Sequence, residues 1–273
     1  MMVSIETRAF PEMLRSKCVP ALLNNTVHLW HRSLNVDISE IEILLPLLSE
    51  NERLRSARFK FDKHRNEFIL CRGTLRILLG AYVDRSPERV DLVCSEHGKP
   101  SVSSTFDSRA LHFNLSHTEG MALFAFARAE VGVDIEKIRS DVEHLQLADR
   151  FFSEYERAQL RQFSGRDLDK AFFRCWTRKE AYVKAKGGGL AISLTEFDVS
   201  LTADEPAALL ATRPNADEDF AGHCTIYRCG PGILQPWRFP AIRLNYCLNA
   251  IMSSVTMGLR GTVEHAVVVQ DSL

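Results

Sequence analysis

A tryptophan and two side chains able to do acid–base or phosphate chemistry recur every four residues in the second half of the sequence. Trp176, Glu180 and Lys184 have the spacing that stacks side chains on one face of an α-helix. The glycine run 187–189 predicts the end of that helix, because glycine adopts a left-handed backbone at little steric cost. Taken alone, Glu180 and Lys184 can equally be a surface ion pair contributing only about 0.3–0.5 kcal/mol. Other motifs in the sequence are therefore needed to distinguish a functional pair from a surface ion pair.

Two further carboxylates share one face of a short predicted strand. The two-residue period of residues 131–136 places Gly132, Asp134 and Glu136 together and the apolar side chains opposite them. Out of context, an edge strand with a solvated acidic face explains this pattern. Together with Glu180, however, the two carboxylates offer three hard oxygen ligands of the kind that bind Mg²⁺ when it is shared with substrate phosphates. The sequence has no competing His-rich or Cys-rich set, which argues against zinc.

Small polar and basic side chains occur at two further places. Ser116 and His117 follow a predicted strand and can donate to phosphate oxygens, although a turn with a satisfied histidine explains them equally well. Lys99 lies on a constrained turn between Gly98 and Pro100, where it suits a phosphate contact. No nucleophile elbow, phosphate-binding loop or dinucleotide fingerprint occurs in the sequence. These residues and the carboxylates together suggest a phosphoanhydride held by Mg²⁺.

The elements that must position these groups are helices and strands in irregular order. Residues 62–82 predict a helix with one buried face and its Arg and Lys side chains, Arg76 among them, pointing outward. A capping box at 153–156 opens a helix that runs to about 163, and another helix spans 169–186. Residues 201–220 are interpreted mostly as a connection. Strands are predicted at 27–30, 111–113, 121–127, 131–136, 225–229 and 262–269. This order favours an α+β fold over a doubly wound sheet.

The composition is that of a soluble globular protein. The chain has 273 residues, 45% of them hydrophobic and 25% charged, and a formal net charge of -1, which argues against a nucleic-acid binder. Seven scattered cysteines without a Cys-x-x-Cys pair predict reduced, mostly buried thiols and a cytoplasmic location. We expect no signal peptide and no membrane association, because the longest uncharged run, 244–259, contains several polar residues.

The order of four motifs resembles that of the 4′-phosphopantetheinyl transferases of the Sfp type. The motifs are Gly-Lys-Pro at 98–100, Phe-Asn-Leu-Ser-His at 113–117, Gly-Val-Asp-Ile-Glu at 132–136 and Trp-Thr-Arg-Lys-Glu-Ala at 176–181. Each motif alone is modest, but the four in this order are specific. The resemblance covers roughly residues 55–197.

This resemblance implies a fold and a reaction. The fold would be two similar α+β halves related by a pseudo-twofold axis, residues 1–130 and 131–273, with the active site in the cleft between them. Such a site needs no partner chain, so we expect a monomer. The reaction would transfer 4′-phosphopantetheine from coenzyme A to a serine of an apo acyl or peptidyl carrier protein, releasing adenosine 3′,5′-bisphosphate. The pathway served, whether fatty acid, polyketide or nonribosomal peptide synthesis, is left open.

The resemblance also implies roles for individual residues. Asp134, Glu136 and Glu180 would hold Mg²⁺ on the coenzyme A pyrophosphate, and Glu180 is the candidate for deprotonating the incoming serine, directly or through water. Lys184 would bind phosphate and assist the departing group, so Asp134, Glu180 and Lys184 are the predicted catalytic residues. The other predicted coenzyme A contacts are Lys99, Ser116, His117 and, at the nucleotide 3′-phosphate, Arg55.

Two other functions use the same residues. A Mg²⁺-dependent phosphohydrolase would replace the carrier serine with water, and a binding module would hold coenzyme A or a carrier protein without turnover. The intact set of acidic and basic residues argues against the binding module. For a carrier protein, exposed apolar residues around Phe151 and Phe152 and the loop after Arg139 form the expected docking surface.

Overall fold

A computed structural model of the protein describes residues 4–10, 18–103, 111–202 and 207–213, together with the backbone of three further strands. The described strands are β1 (Ser4–Ala9), β2 (Thr26–Ser33), β3 (Leu92–Cys94), β4 (Pro100–Val102), β5 (His112–Thr118), β6 (Met121–Ala127), β7 (Val131–Lys137), β8 (Phe197–Val199), β9 (Leu209–Thr212), β10 (Cys224–Cys229), β11 (Tyr246–Met252) and β12 (Ala266–Asp271). The described α-helices are α1 (Ile38–Leu44), α2 (Glu50–Ala57), α3 (Asp62–Val83), α4 (His144–Phe151), α5 (Glu154–Leu160) and α6 (Gly165–Lys186). The mixture confirms the α+β class, whereas the two pseudo-symmetric halves stay a prediction.

The first part of the chain is a sheet covered by a long helix. Strands are ordered β1-β2-β6-β5, with β1 parallel to β2 and the other pairs antiparallel. Helix α3 buries Leu75 and Leu78 in one core with Trp30 of β2 and Phe124 of β6. Each such side chain contributes about 2 kcal/mol by leaving water. This core therefore fixes the β5–β6 hairpin, which forms one side of the sheet, against helix α3.

Strand β7 is attached to that sheet by side chains. Asn114 Oδ1 of β5 accepts a hydrogen bond from the Val133 amide at 2.9 Å, and Ser116 Oγ accepts one from the Ile135 amide at 3.4 Å. On its other edge β7 forms an antiparallel ladder with β11. Its apolar residues Val131, Val133 and Ile135 are buried in a core with residues of β2 and β6. The predicted division of β7 into an apolar and a polar face is confirmed.

A second core surrounds helix α6. Its residues Phe172, Phe173 and Tyr182 are buried together with Phe152 and Phe197. The helix ends at Gly187, whose φ of 73° is the left-handed conformation that glycine was expected to supply. The predicted end of this helix is confirmed, and its beginning lies four residues earlier than expected, at Gly165.

Several sequence predictions need correction. Arg76 does not point outward: it is buried, its Nε lies 2.6 Å from Glu52 Oε2, and its guanidinium donates to two carbonyl groups. Helix α5 ends at Leu160, and the expected connection after residue 201 contains strand β9. Part of the strand predicted at 262–269 lies outside the described residues. Of the four cysteines whose side chains are described, Cys71 and Cys175 are buried and the other two exposed.

Among the described residues, no helix is both long enough and apolar enough to cross a membrane.

Candidate active site

The polar face of β7 lies directly against helix α6. An added Cβ on Gly132 would lie 2.1 Å from the Ala181 carbonyl oxygen and 2.4 Å from the Ala185 nitrogen, so only glycine permits this approach. Positions 181 and 185 each follow a predicted functional residue, Glu180 and Lys184. Close packing at Gly132 therefore brings the end of α6 next to Asp134.

Lys184, Asp134 and Ser116 form one hydrogen-bonded cluster. The Lys184 ammonium donates to Asp134 Oδ1 at 2.6 Å and to Ser116 Oγ at 3.0 Å. Ser116 Oγ in turn donates to Asp134 Oδ1 at 2.9 Å. The Asp134 side chain is only 4% exposed, whereas that of Lys184 is 29% exposed. Three residues predicted from separate motifs are thus brought together by β5, β7 and α6.

One oxygen of this buried carboxylate is left without a partner. Asp134 Oδ2 is buried and receives no hydrogen bond, although buried carboxylate oxygens are normally satisfied. Such an oxygen is a candidate ligand for a cation, because an unpaired buried charge is costly.

Burial and the charge of Asp134 raise the pKa values of two neighbouring carboxyl groups. Burial raises the pKa of Glu180, and Asp134 raises it further against the opposing effect of Lys184. Burial and the charge of Asp134 likewise raise the pKa of Glu136, whose Oε2 accepts a hydrogen bond from Thr118 Oγ1 at 3.4 Å. Both groups would ionise more readily if a cation joined them.

The described residues contain no preassembled group of three His, Cys, Asp or Glu side chains positioned to chelate a metal. Asp134 has a free oxygen, while Glu136 and Glu180 approach it from the strand and from the helix. The joint metal site at Asp134, Glu136 and Glu180 therefore stays a prediction. These hard oxygen donors suit Mg²⁺, and side-chain rotations would be required to bring all three onto one ion.

A cavity of about 650 Å³ opens beside the cluster. Lys99, Asn114, Glu180 and Lys184 line its polar part. Six apolar residues also belong to the lining and form its apolar wall: Phe151, Trp176, Val183, Leu190, Ile192 and Leu194. A ligand with both a charged group and a long uncharged arm would find partners of each kind in this lining.

The apolar wall is held by a buried ion pair that sequence reasoning missed. Lys179 Nζ donates to the carbonyl oxygens of Leu194 and Phe197, both at 2.6 Å, and lies 2.8 Å from Glu156 Oε2. Lys179 and Glu156 are both completely buried. Glu156 also accepts from the amides of Ser153 and Val199. The sequence identified Glu156 only as the glutamate of the capping box, because its ion-pair partner Lys179 is remote in sequence.

The other predicted phosphate contacts differ in position. Lys99 lines the cavity, but its ammonium donates to the Ala185 carbonyl at 2.7 Å and forms an ion pair with Glu130. His117 is exposed, and its pKa is lowered by partial burial of the ring and by the charge of Lys184, against the attraction of Glu67. Arg55 lies on α2 with its guanidinium 5.3 Å from the centre of the Phe68 ring, and it does not line the cavity. Of the predicted phosphate contacts, neither Arg55 nor His117 lines the cavity.

Of the two aromatic residues in the expected docking surface, one is buried and the other partly exposed. Phe152 is 1% exposed and packs in the core, so it cannot contact a carrier protein directly. Phe151 is partly exposed, lines the cavity and packs edge-on against Trp176 at 5.9 Å.

Comparison with known proteins agrees with the geometry. Residues 130–229 match the model of the 4′-phosphopantetheinyl transferase superfamily. The 4′-phosphopantetheinyl transferase HetI of Nostoc sp. (strain PCC 7120) is 40% identical over 190 residues, which cover 69% of this chain and 79% of HetI. The 4′-phosphopantetheinyl transferase Sfp of Bacillus subtilis (strain 168) is 30% identical over 167 residues, covering 60% of this chain and 71% of Sfp. The chain therefore belongs to the 4′-phosphopantetheinyl transferases and is a transferase.

Proposed function

We propose that this transferase moves 4′-phosphopantetheine from coenzyme A to a serine of an apo acyl or peptidyl carrier protein, with Mg²⁺, and releases adenosine 3′,5′-bisphosphate. The observation that carries the proposal is the Asp134–Ser116–Lys184 cluster beside Glu180 at the polar end of the cavity. The relatives, named as 4′-phosphopantetheinyl transferases, support the group transferred.

The acidic residues fit the metal that this reaction uses. Asp134 offers a buried oxygen without a partner. Burial and the charge of Asp134 raise the pKa of Glu136 and of Glu180, and a bound cation would favour the ionised form of both. These three residues would hold Mg²⁺. When bound, the ion would neutralise charge on the pyrophosphate of coenzyme A.

The chain's own residues provide the proton transfers and the charge stabilisation. The serine oxygen forms a bond to the phosphorus that carries pantetheine, and the bond from that phosphorus to the nucleotide phosphate oxygen breaks. Glu180 takes the serine proton, directly or through water. Lys184 neutralises charge developing on the departing phosphate, since its ammonium is partly exposed at the cavity edge.

The remaining polar residues orient the substrate. Ser116 and His117 lie near the end of β5, where Ser116 belongs to the cluster, and Lys99 lines the cavity. We retain them as contacts for coenzyme A phosphates. The apolar wall suits the uncharged pantetheine arm. Arg55 as the contact of the nucleotide 3′-phosphate is a weaker proposal, because it lies away from the cavity lining.

We also propose that the enzyme acts as a cytoplasmic monomer without nucleic-acid or membrane partners, as its sequence predicts. Light scattering after size-exclusion chromatography tests the oligomeric state, and cell fractionation tests the location.

Intact-protein mass spectrometry of an apo carrier protein tests the reaction. We expect the carrier to gain one phosphopantetheine group in the presence of coenzyme A and Mg²⁺, and to gain none after EDTA treatment. Glu180→Gln should abolish transfer, whereas Glu154→Gln, an exposed residue on α5, serves as the matched control and should not. Coenzyme A consumed without any carrier would instead identify a phosphohydrolase. Coenzyme A bound but left intact with several carriers would identify a binding module.

A further inference from the structure

The Lys184 ammonium lies where a cation bound to Asp134 would act. It is 2.6 Å from Asp134 Oδ1, and Ser116 Oγ bonds to both groups. This arrangement satisfies one oxygen of a carboxylate that is almost fully buried and leaves the other, Oδ2, without a donor. Lys184 is therefore the counter-ion of Asp134 when no metal is bound.

The same ammonium opposes the binding of a metal ion. A divalent cation on Asp134 would lie within a few ångströms of the Lys184 charge, and two cations at that distance repel strongly in a partly buried site. Lysine is suited to yield its place, because its charge is compact and is carried on a flexible four-carbon stem. Lys184 also lines the cavity, so the ammonium has space to move into on the side where a substrate anion would lie.

We propose that Lys184 is a displaceable counter-ion of Asp134. In the free enzyme Lys184 pairs with the Asp134 carboxylate; the anionic substrate draws the ammonium into the cavity, so that Asp134 can bind the divalent cation. The inference rests on the proposed function, which supplies both the metal and the anion. Because coupling between two ligands is reciprocal, the anion strengthens metal binding and the metal strengthens anion binding. The metal alone binds weakly, since it has to displace Lys184 without compensation.

The structure offers a matched control for this charge. Lys99 also lines the cavity and is also a lysine, but its ammonium is held by Glu130 and by the Ala185 carbonyl. Lys99→Met therefore removes an equal charge from the same cavity without releasing Asp134. Lys184→Met removes the counter-ion, and Lys184→Arg keeps a cation at the position.

Binding of Mn²⁺ to the purified enzyme, followed by the electron paramagnetic resonance signal of free Mn²⁺, tests the proposal without an activity readout. In the absence of coenzyme A, we expect Lys184→Met to bind Mn²⁺ at least about tenfold more tightly than the wild type. Lys99→Met should change the affinity by less than about threefold, and Lys184→Arg should bind as weakly as the wild type. Coenzyme A should tighten Mn²⁺ binding more in the wild type than in Lys184→Met, after correction for Mn²⁺ held by coenzyme A itself.

Each alternative outcome has a separate meaning. Equal Mn²⁺ affinity in the wild type and Lys184→Met, with circular dichroism showing both folded, would overturn the counter-ion role and leave the proposed function intact. An equal gain in Mn²⁺ affinity in Lys99→Met would also overturn it, because the gain would then come from the total charge of the cavity and not from Lys184 in particular. Failure of every variant to bind Mn²⁺ even with coenzyme A would overturn the metal site of the proposed function as well.

Discussion

Gly132→Ala tests the idea that the spacing between β7 and α6 sets the active site. The added Cβ would lie 2.1 Å from the Ala181 carbonyl oxygen, and Cβ atoms do not approach other atoms more closely than about 3.0 Å. Strand and helix would therefore have to separate by about 0.9 Å. Neither neighbour can yield by rotating a side chain, because both close contacts, at Ala181 and Ala185, are made by backbone atoms.

The expected loss follows from that displacement. Lys184 and Glu180 are carried on α6, whereas Asp134 and Glu136 are carried on β7, so a shift of this size changes every distance between the two sets. A misplacement of about 1 Å can cost about 100-fold in rate, and we expect kcat/KM for carrier modification to fall by about that factor. Overpacking should also lower the free energy of unfolding by about 3 kcal/mol, at the upper end of the usual range.

Rates of carrier modification by mass spectrometry and thermal unfolding would be measured on Gly132→Ala and on Gly73→Ala. The second variant places a Cβ 2.7 Å from Leu44 Cβ in the first core, away from the active site. It should lose no more than about 2 kcal/mol, because alanine's better helix propensity offsets part of the clash. Its kcat/KM should stay within about threefold of the wild type. Full activity in Gly132→Ala, or an equal loss in Gly73→Ala, would refute the spacing argument.

Three further predictions concern charge. Lys179→Ala leaves the fully buried Glu156 without its ion-pair partner, so the free energy of unfolding measured in urea should fall by about 3–5 kcal/mol. A fall of less than about 1 kcal/mol would contradict a stabilising role for this pair. Glu180→Gln should raise the melting temperature in metal-free buffer at neutral pH, because the folded state raises the pKa of Glu180 and so disfavours its ionised form. The difference should vanish below the ordinary pKa of 4.5, where both states are protonated, and a pH-independent difference would argue for packing instead. Glu130→Gln should instead lower the melting temperature at neutral pH. Hydrogen bonds from His112 and Lys99 lower the pKa of Glu130 to about 2, so the stabilisation by its ionised form is present above pH 4.5 and is lost as the pH falls toward 2. Because Glu130 is 46% exposed, the loss of unfolding free energy at neutral pH should be about 0.2–1 kcal/mol, and low-salt calorimetry that shows no loss would contradict the prediction.

Local periodicity predicted the elements that carry the site. Alternation along 131–136 placed Gly132, Asp134 and Glu136 on one face of β7, and the structure confirms that face as the one turned toward α6. The capping box that begins α5 and the glycine that ends α6 were also predictable, because each depends on hydrogen bonds or backbone angles within a few residues.

Charged side chains that turn inward were not predictable in the same way. Arg76 and Lys179 lie at positions where a helical pattern suggests an outward charge, yet both are buried. Each has partners that are distant in sequence. Arg76 contacts Glu52 and two backbone carbonyl groups, and Lys179 contacts Glu156 and two other backbone carbonyl groups. The periodicity of a helix shows which of its residues share a face. It does not show which residues from elsewhere in the chain pack against that face.

By itself, the sequence determined which groups are available and which of them share a face, since spacing along a helix or strand is a local property. The tertiary structure decided that Lys184 pairs with Asp134 and Ser116, that Lys99 is held by Glu130, and that Arg55 lies away from the cavity. Those outcomes depend on how close two elements approach. At the centre of this site the approach is set by Gly132, where the absence of a side chain lets strand and helix meet backbone to backbone.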